Sequence, residues 1–236
     1  MTDEQAVFMS RPFPWAPGME TVQDWTEWAA GNRQIEISSQ SPKLTFTSPL
    51  FRRRLSQISR MTVQVVHDCI EAIPQAAECP EVFASFRGEI GREGDINTQL
   101  IQDKEILPAS FSLSVFNTPI ALATIALHLT RGYSVVFPAK QDFPAAVSAG
   151  IAPLLCGDER NVLFVYADEY VSDCYDSLKS PEGTVKPERG YEPLAFAVMM
   201  GLHKDSDCTV QLTVQNIKDV CSTPQHLLSY LLTHTA

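Results

Sequence analysis

Several motifs that mark common functional classes are missing from this sequence. The chain has no phosphate-binding loop of the form G-x-x-x-x-G-K-[ST], no dinucleotide fingerprint, no G-x-S-x-G elbow and no H-E-x-x-H zinc motif. It also lacks a run of about 18 apolar residues, the length that a transmembrane helix needs, so we predict no membrane span. The acidic N-terminus shows no basic region followed by an apolar core. We therefore expect no signal peptide and a cytoplasmic location.

Basic residues are scarce. The 18 Lys and Arg residues stand against 28 Asp and Glu residues, which gives a formal net charge of -10. Because nucleic acids and anionic membranes attract basic surfaces, we predict no nucleic-acid partner. The six cysteines are scattered, with no C-x-x-C pair and no histidine at the spacing of a metal site. The sequence therefore predicts no metal site and no cofactor.

The first part of the sequence has an unusual composition. Residues 11–47 are rich in Pro, Trp and Ser, and we predict that residues 1–47 form an irregular N-terminal segment with one short helix at residues 22–30. A helical pattern of apolar residues follows from Phe51 to Pro74. We assign residues 48–236 to a single domain.

The remaining apolar segments alternate between strand and helix character. Strand patterns at residues 82–86, 133–137 and 161–169 are separated by two apolar helices, whose first turns contain Pro119 and Pro144. A helix that is apolar on all sides is usually a buried one. This order predicts an α/β fold with a mixed sheet, buried helices and cover on both faces of the sheet.

The stretch SVVFPAKQDFPAAVSAG, residues 134–150, predicts a buried strand, a tight turn and the start of a helix. A turn of this kind places a side chain at the positive end of a helix dipole, where a nucleophile is activated. No Cys, Ser or Thr lies between Val135 and Val147, however. The five histidines also occupy no recognisable catalytic setting. The turn thus has the architecture of an active site without its nucleophile.

The chain resembles the N-terminal half of the β-ketoacyl synthases. The resemblance rests on the segments FRRRLSQISRM, VFASFRGEI and SFSLSVFNTPIALATIAL and on the strand, turn and helix that follow Gly132. It covers residues 51–202 and implies a thiolase-like fold, of which mainly the N-terminal half is present. In that family the nucleophilic Cys follows the Gly before the central strand by nine residues. The same spacing from Gly132 reaches Gln141.

The resemblance implies that the chain has no catalytic residue, because Gln141 cannot carry an acyl group as a thiolate does. The second half of the family, which supplies two catalytic histidines and a lysine, is absent or vestigial after residue 205. This pattern is similar to that of the chain-length factors, which are inactive partners of a ketosynthase. We therefore expect a heterodimer with a full-length β-ketoacyl synthase, in aryl-polyene or related polyketide or fatty-acid-like biosynthesis. An acyl carrier protein would be met only indirectly, through the complex.

The resemblance also implies where the partner and the acyl tunnel lie. The strand before the nucleophile position is at the dimer interface in ketosynthases, and an apolar strand edge needs another chain to cover it. The predicted interface residues are Ser134, Val135, Val136, Phe137 and Gln141. The predicted tunnel residues, which would limit chain length, are Ile96, Leu100, Phe111 and Phe116.

Two alternatives stay open at this point. The first is an active ketosynthase-like or acyltransferase-like enzyme that uses Cys156 or Cys174, or a decarboxylating ketosynthase-like enzyme that uses Gln141. Cys156 falls at the end of a predicted helix, where the dipole disfavours a thiolate, and Cys174 has no histidine near it in sequence. The second alternative is a structural scaffold of thiolase ancestry without a tunnel.

Overall fold

The computed structural model describes residues 6–139, 142–171, 192–213 and 216–235. The strands are β1 (Ala6–Ser10), β2 (Phe13–Trp15), β3 (Glu81–Ala84), β4 (Tyr133–Val136), β5 (Asn161–Asp168), β6 (Leu194–Gly201) and β7 (Cys208–Thr213). The helices are α1 (Val22–Ala29), α2 (Pro49–Arg52), α3 (Gln57–Ala72), α4 (Ile90–Asp103), α5 (Pro108–Ser112), α6 (Thr118–Leu127), α7 (Phe143–Cys156), α8 (Ile217–Val220) and α9 (Pro224–His234). A 3₁₀ turn at Pro74–Glu78 follows α3.

These strands form one mixed sheet in the order β4-β3-β5-β6-β1-β7, and β2 pairs with β6 beside β1. Strands β4, β3 and β5 are parallel, whereas β6 is antiparallel to β5, β1 to β6 and β7 to β1. The carboxyl ends of parallel strands meet at the same edge of a sheet. The segments that follow β3, β4 and β5 are therefore neighbours, and the predicted turn after β4 is one of them.

Helices cover both faces of the sheet, as predicted. On one face, α7 and α9 pack Phe143, Val147 and Leu228 against the strands, and on the other face α3 and α6 do so with Met61 and Ile120. The central strand β5 is buried on both faces, which explains its continuous apolar sequence. Within the described ranges, no helix has the length and apolar character that crossing a membrane requires.

The prediction of an irregular N-terminal segment is wrong for residues 6–15. Strand β1 lies between β6 and β7, and β2 adds three residues beside β6. Prolines at positions 12 and 14 suggested irregular structure because proline cannot donate a hydrogen bond to a sheet. Helix α1 is confirmed, and Thr21 and Asp24 form a capping box at its start.

Two helices differ from the sequence patterns. Helix α4 begins at Ile90, whereas the sequence GREGDINTQLIQDKEI predicts a shorter helix with Asp95 as its N-cap. Helix α6 was predicted to be buried on all sides, but its outer face is open and Ile125 is 64% exposed. It ends at Leu127, where His128 takes the left-handed conformation with φ of 57°, rather than at Gly132.

Candidate functional site

The strand before the predicted nucleophile turn lies at the edge of the sheet. Strand β4 pairs with β3 from Tyr133 to Val136, and no described strand pairs with its other side. The prediction of a buried strand is therefore wrong for the isolated chain: Ser134 is exposed, Val135 and Val136 are half-buried, and Phe137 is 61% exposed. An uncovered apolar edge of this kind is a template for pairing with another chain.

The turn after β4 leads into α7, and a carboxylate caps that helix. The N–H of Asp142 donates to the carbonyl of Ala139 over 3.1 Å, and the N–H of Ala145 donates to the Asp142 carboxylate over 3.3 Å. The negative charge of Asp142 thus lies at the positive end of the α7 dipole. Gln141, the residue at the predicted nucleophile position, lies outside the described residues. In the described part of this turn, a capping carboxylate stands where the dipole would favour a thiolate.

The histidines of the described ranges serve structural contacts elsewhere. His128 ends α6 before β4 begins, and His203 follows Gly201, which pairs with the first residue of β5. Both therefore lie at the sheet edge opposite to the turn after β4. His67 stacks on Phe46, and the two histidines of α9 contact their own helix and its entry.

The cysteines of the described ranges show no sign of an activated thiol. Cys69, Cys79, Cys208 and Cys221 are buried. Burial raises the pKa of Cys79 to about 11 and the pKa of Cys208 and of Cys221 to about 12. Cys156 is exposed at the last position of α7, and Cys174 lies outside the described residues. A thiol that stays protonated in the interior is not a nucleophile.

The carboxyl end of β5 carries a buried polar network that sequence reasoning missed. Asp168 is fully buried and accepts hydrogen bonds from the Ser85 hydroxyl at 2.7 Å, the Tyr166 hydroxyl at 2.7 Å and the Arg87 N–H at 3.1 Å. A buried carboxylate needs such partners to offset the cost of removing it from water. Asp168 therefore fixes the loop that follows β3.

The next residue, Glu169, is also buried and bonds to two helices. Its carboxylate accepts from the N–H of Gly91 at 2.8 Å and from the N–H of Ile58 at 3.3 Å. Burial raises the pKa of Glu169 to about 7. The charge of Glu89 also raises this pKa, whereas the hydrogen bonds from the N–H groups of Gly91 and Ile58 lower it. The signal in the sequence was a buried strand that ends in Asp-Glu.

The predicted tunnel residues occupy different environments. Ile96 is buried, whereas Leu100 is 45% and Phe111 is 59% exposed. Phe116 is half-buried, and its ring lies 4.9 Å from the ring of Phe137. A predicted tunnel residue and a predicted interface residue are therefore in contact.

Exposed apolar side chains are concentrated between residues 100 and 137, a region that we call the apolar segment. It spans the end of α4, α5, α6 and β4. Two side-chain contacts join the start of α6 to β4: Phe116 packs on Phe137, and the Asn117 amide donates to the Tyr133 hydroxyl over 2.9 Å. Its exposed large apolar residues are Leu100, Ile101, Leu107, Phe111, Val115, Ile125, Tyr133 and Phe137. Apolar surface on this scale marks a site of interaction.

A family model of the β-ketoacyl synthase N-terminal domain matches residues 25–230, which is most of the chain. The chain belongs to this family. The match includes strands β3 to β7, the turn after β4 and the apolar segment, whereas β1 and β2 precede it. None of the curated proteins compared with this chain matches it.

Solved structures give the same fold. A chain of the complex between the ketosynthase ApeO and its chain length factor ApeC, from Xenorhabdus doucetiae, is 23% identical with a TM-score of 0.68, over 85% of this chain and 80% of that chain. The ishigamide ketosynthase/chain length factor gives 11% identity and a TM-score of 0.66, over 86% of this chain and 64% of that chain.

A third similar structure is a complex that contains an acyl-carrier protein. It is AntDE:AntF, a type II polyketide synthase acyl-carrier protein in complex with its ketosynthase, with 12% identity and a TM-score of 0.61. The match covers 84% of this chain and 63% of that chain, so the present chain spans less than two thirds of that ketosynthase-like chain and of the ishigamide one. These likenesses establish the thiolase-like fold.

Proposed function

We propose that this chain is a non-catalytic subunit that forms a heterodimer with a full-length β-ketoacyl synthase and acts as its chain-length factor. The observation that carries the proposal is the pairing of an exposed, apolar edge strand with a turn that lacks a nucleophile. The sequence from Pro138 to Asp142 contains no thiol or hydroxyl. The fold is that of ketosynthases, and two of the similar structures are described as complexes of a ketosynthase with a chain length factor.

The chemistry of condensation supports an inactive role. Carbon–carbon bond formation by a ketosynthase needs a thiolate to hold the acyl chain and donors that stabilise the developing oxyanion. The described part of the turn after β4 offers a capping carboxylate, Asp142, instead of a thiolate. The described histidines lie on other parts of the fold. The partner would therefore supply the whole catalytic apparatus, including the contact with an acyl carrier protein.

Strand β4 is the proposed partner interface. No strand among the described residues pairs with the backbone groups of its outer edge, and Phe137 extends the apolar surface beyond the last strand residue. Another chain that adds a strand there would satisfy those groups, with Ser134, Val135, Val136 and Gln141 as further interface residues. Burial of the apolar segment would make the interface resemble a hydrophobic core shared between two chains, as in obligate complexes.

The apolar segment also offers a means of limiting chain length. Leu100 and Phe111 present bulky side chains outside the core of this subunit, whereas Ile96 is buried and Phe116 is half-buried. A hydrophobic pocket discriminates by only about 1–3 kcal/mol for each methylene, so a steric floor measures length better than affinity does. The product would be an aryl polyene or a related polyketide or fatty-acid-like chain.

Co-expression with a full-length ketosynthase from the same genome tests the proposal. We expect one gel-filtration peak with the summed mass of the two chains, and aggregation of this chain when it is expressed alone. The complex should form products whose length depends on this subunit. A soluble monomer that condenses or decarboxylates malonyl thioesters without a partner would overturn the proposal and favour the enzyme alternative. A stable complex with unaltered product length would favour the scaffold.

A further inference from the structure

Helix α4 is attached to the body of the protein mainly at its first turn. Of its 14 residues only Ile96 is buried, and α5, which packs beside it, has no buried residue. Beyond Ile96 the helix presents Leu100 and Ile101 to the outside. Packing in the core therefore does not determine the direction of α4. Polar contacts at its start have to do so.

One buried carboxylate bonds to the starts of two helices. Glu169 accepts from the N–H of Gly91, the second residue of α4, and from the N–H of Ile58, the second residue of α3. The first N–H groups of a helix have no partner within the helix, and an anion there also interacts well with the dipole. Glu169 directly follows the central strand β5, so it joins both helices to the buried interior of the sheet.

A second carboxylate links the same two helix starts. Glu89 immediately precedes α4 and is fully buried, and its Oε1 accepts from the hydroxyls of Ser56 at 2.8 Å and Ser59 at 2.6 Å. Ser56 is the N-cap of α3. The Arg92 guanidinium donates to the other oxygen of Glu89 at 3.3 Å. These side-chain hydrogen bonds hold the start of α4 against the start of α3, in addition to the bonds that Glu169 makes with both helices.

A glycine at position 91 gives Glu169 room to approach α4 closely. A Cβ atom at position 91 would lie 3.1 Å from Oε1 of Glu169, which is tighter than an ordinary contact. Glycine is otherwise unfavourable in a helix. Its presence in the first turn of α4 fits a role in admitting the carboxylate.

We propose that Glu169 and Glu89 are positioning residues that set the direction in which α4 leaves the body, and thereby the place of Ile96 and Leu100. The effect on the molecule is local, because the two carboxylates hold one end of a helix that has little other support. The consequence for product length rests on the proposed function. The positioning of α4 does not.

Hydrogen–deuterium exchange of the full chain, co-purified with its ketosynthase where the two form a complex, tests the positioning role. In Glu169→Ala we expect the amides of residues 90–103 to exchange at least about tenfold faster, because hydrogen bonds to a charged group are lost. Amides of β5 and β6 should keep their protection. Glu169→Gln, which retains one acceptor oxygen, should show a smaller effect, and Glu89→Gln should resemble it. The matched control is Glu93→Ala, an exposed carboxylate in the same turn.

A second variant keeps the test valid if Glu169→Ala does not fold. Gly91→Ala retains both carboxylates but crowds Glu169, and alanine by itself favours a helix. Faster exchange in α4 of this variant would support the proposal, whereas unchanged or slower exchange would contradict it. Equal acceleration across α4, β5 and β6 in the Glu169 variants would reduce the carboxylates to a general structural role and overturn the proposal.

Product analysis separates this inference from the proposed function. If α4 is loosened and the products of the complex change in length, both stand. If α4 is loosened and the products keep their length, the positioning role stands and the tunnel role of α4 fails. If α4 exchanges as in the wild type, the positioning role fails whatever the products are.

Discussion

The rings of Phe116 and Phe137 meet edge to face, with centroids 4.9 Å apart and planes inclined by 68°. Phe116 precedes α6 and lies over Gly88, and Phe137 follows β4 at the edge of the sheet. Such pairs contribute about 0.5–1.5 kcal/mol beyond the area they bury. The contact joins a residue proposed for the tunnel to one proposed for the interface. Binding of a partner along β4 would therefore directly affect the proposed tunnel wall.

Replacement of the exposed ring at the end of β4 should prevent assembly. In Phe137→Glu, a charge enters a surface that the partner is proposed to desolvate, and we expect the affinity for the ketosynthase to fall by at least about 30-fold. Pull-down and gel filtration of the co-expressed chains measure this. Thr209→Glu, on the edge strand β7 at the other end of the sheet, is the matched control and should assemble normally. Normal assembly of Phe137→Glu would remove β4 from the interface.

Gly88 should tolerate no side chain. Its φ is +59°, and a Cβ atom would lie 2.7 Å from the Phe116 ring. We expect Gly88→Ala to lower the free energy of unfolding by about 2–3 kcal/mol, which combines backbone strain with the displacement of Phe116. Gly157→Ala, at φ of +77° with no atom within 4 Å of the added Cβ, should lose about 1 kcal/mol. Denaturant titrations measure both variants. Equal losses of unfolding free energy in Gly88→Ala and Gly157→Ala would show that the Phe116 ring moves aside without cost.

The buried carboxylate of Glu81 should make stability depend on pH. Glu81 is 1% exposed, no other residue of the described ranges donates a hydrogen bond to its carboxylate, and burial raises its pKa to about 7. The unfolded chain loses this proton near pH 4.5 and the folded protein near pH 7. Its contribution to stability is therefore complete below pH 4.5, falls between pH 4.5 and 7, and stays low above pH 7.

Glu81→Gln removes this dependence. We expect the variant to exceed the wild type in unfolding free energy at pH 8, by at most about 3 kcal/mol, and to match it near pH 4.5. Thermal or denaturant unfolding at several pH values measures the difference. Glu78→Gln, an exposed carboxylate three residues earlier, should show no such pH-dependent gain. A constant difference at all pH values would mean that the ionisation of Glu81 is not its cause.

Enlargement of Leu100 should shorten the products of the complex. The side chain is 45% exposed on α4, so Leu100→Trp should fold normally and intrude on the proposed tunnel. We expect the amount of the longest product to fall about tenfold, since the clash resembles the loss of one or two methylene contacts. Mass spectrometry of the products checks this, with Gln102→Trp on the same helix as the control. Identical product profiles would remove α4 from the tunnel wall.

The exposed thiol should be dispensable. Among the described cysteines, Cys156 alone is exposed, so an alkylating reagent should modify it first under native conditions. Burial and the raised pKa of Cys79, Cys208 and Cys221 slow their reaction. Cys156→Ser should leave turnover of the complex within about twofold of the wild type. Loss of turnover with an intact complex would instead support an enzyme that uses this cysteine.

Sequence patterns predicted the fold but not the exposure of its elements. The continuous apolar run of β5 and the apolar helix α7 were recognised because both lie in the interior. The similarly apolar β4 and α6 were assigned to the interior too. Periodicity cannot distinguish a segment that is buried in its own chain from one that another chain is proposed to cover.

The turn after β4 and the Asp-Glu end of β5 show what the sequence determines and what only the tertiary structure decides. The sequence alone determined that the turn has no thiol or hydroxyl, because residue identity needs no coordinates. It also determined the α/β class, since alternating strands and apolar helices have few other ways to bury their surfaces. Tertiary structure decided that Glu169 bonds Gly91 and Ile58, which are 78 and 111 residues away in the chain. Such contacts arise only when distant segments pack together, and local patterns carry no information about them.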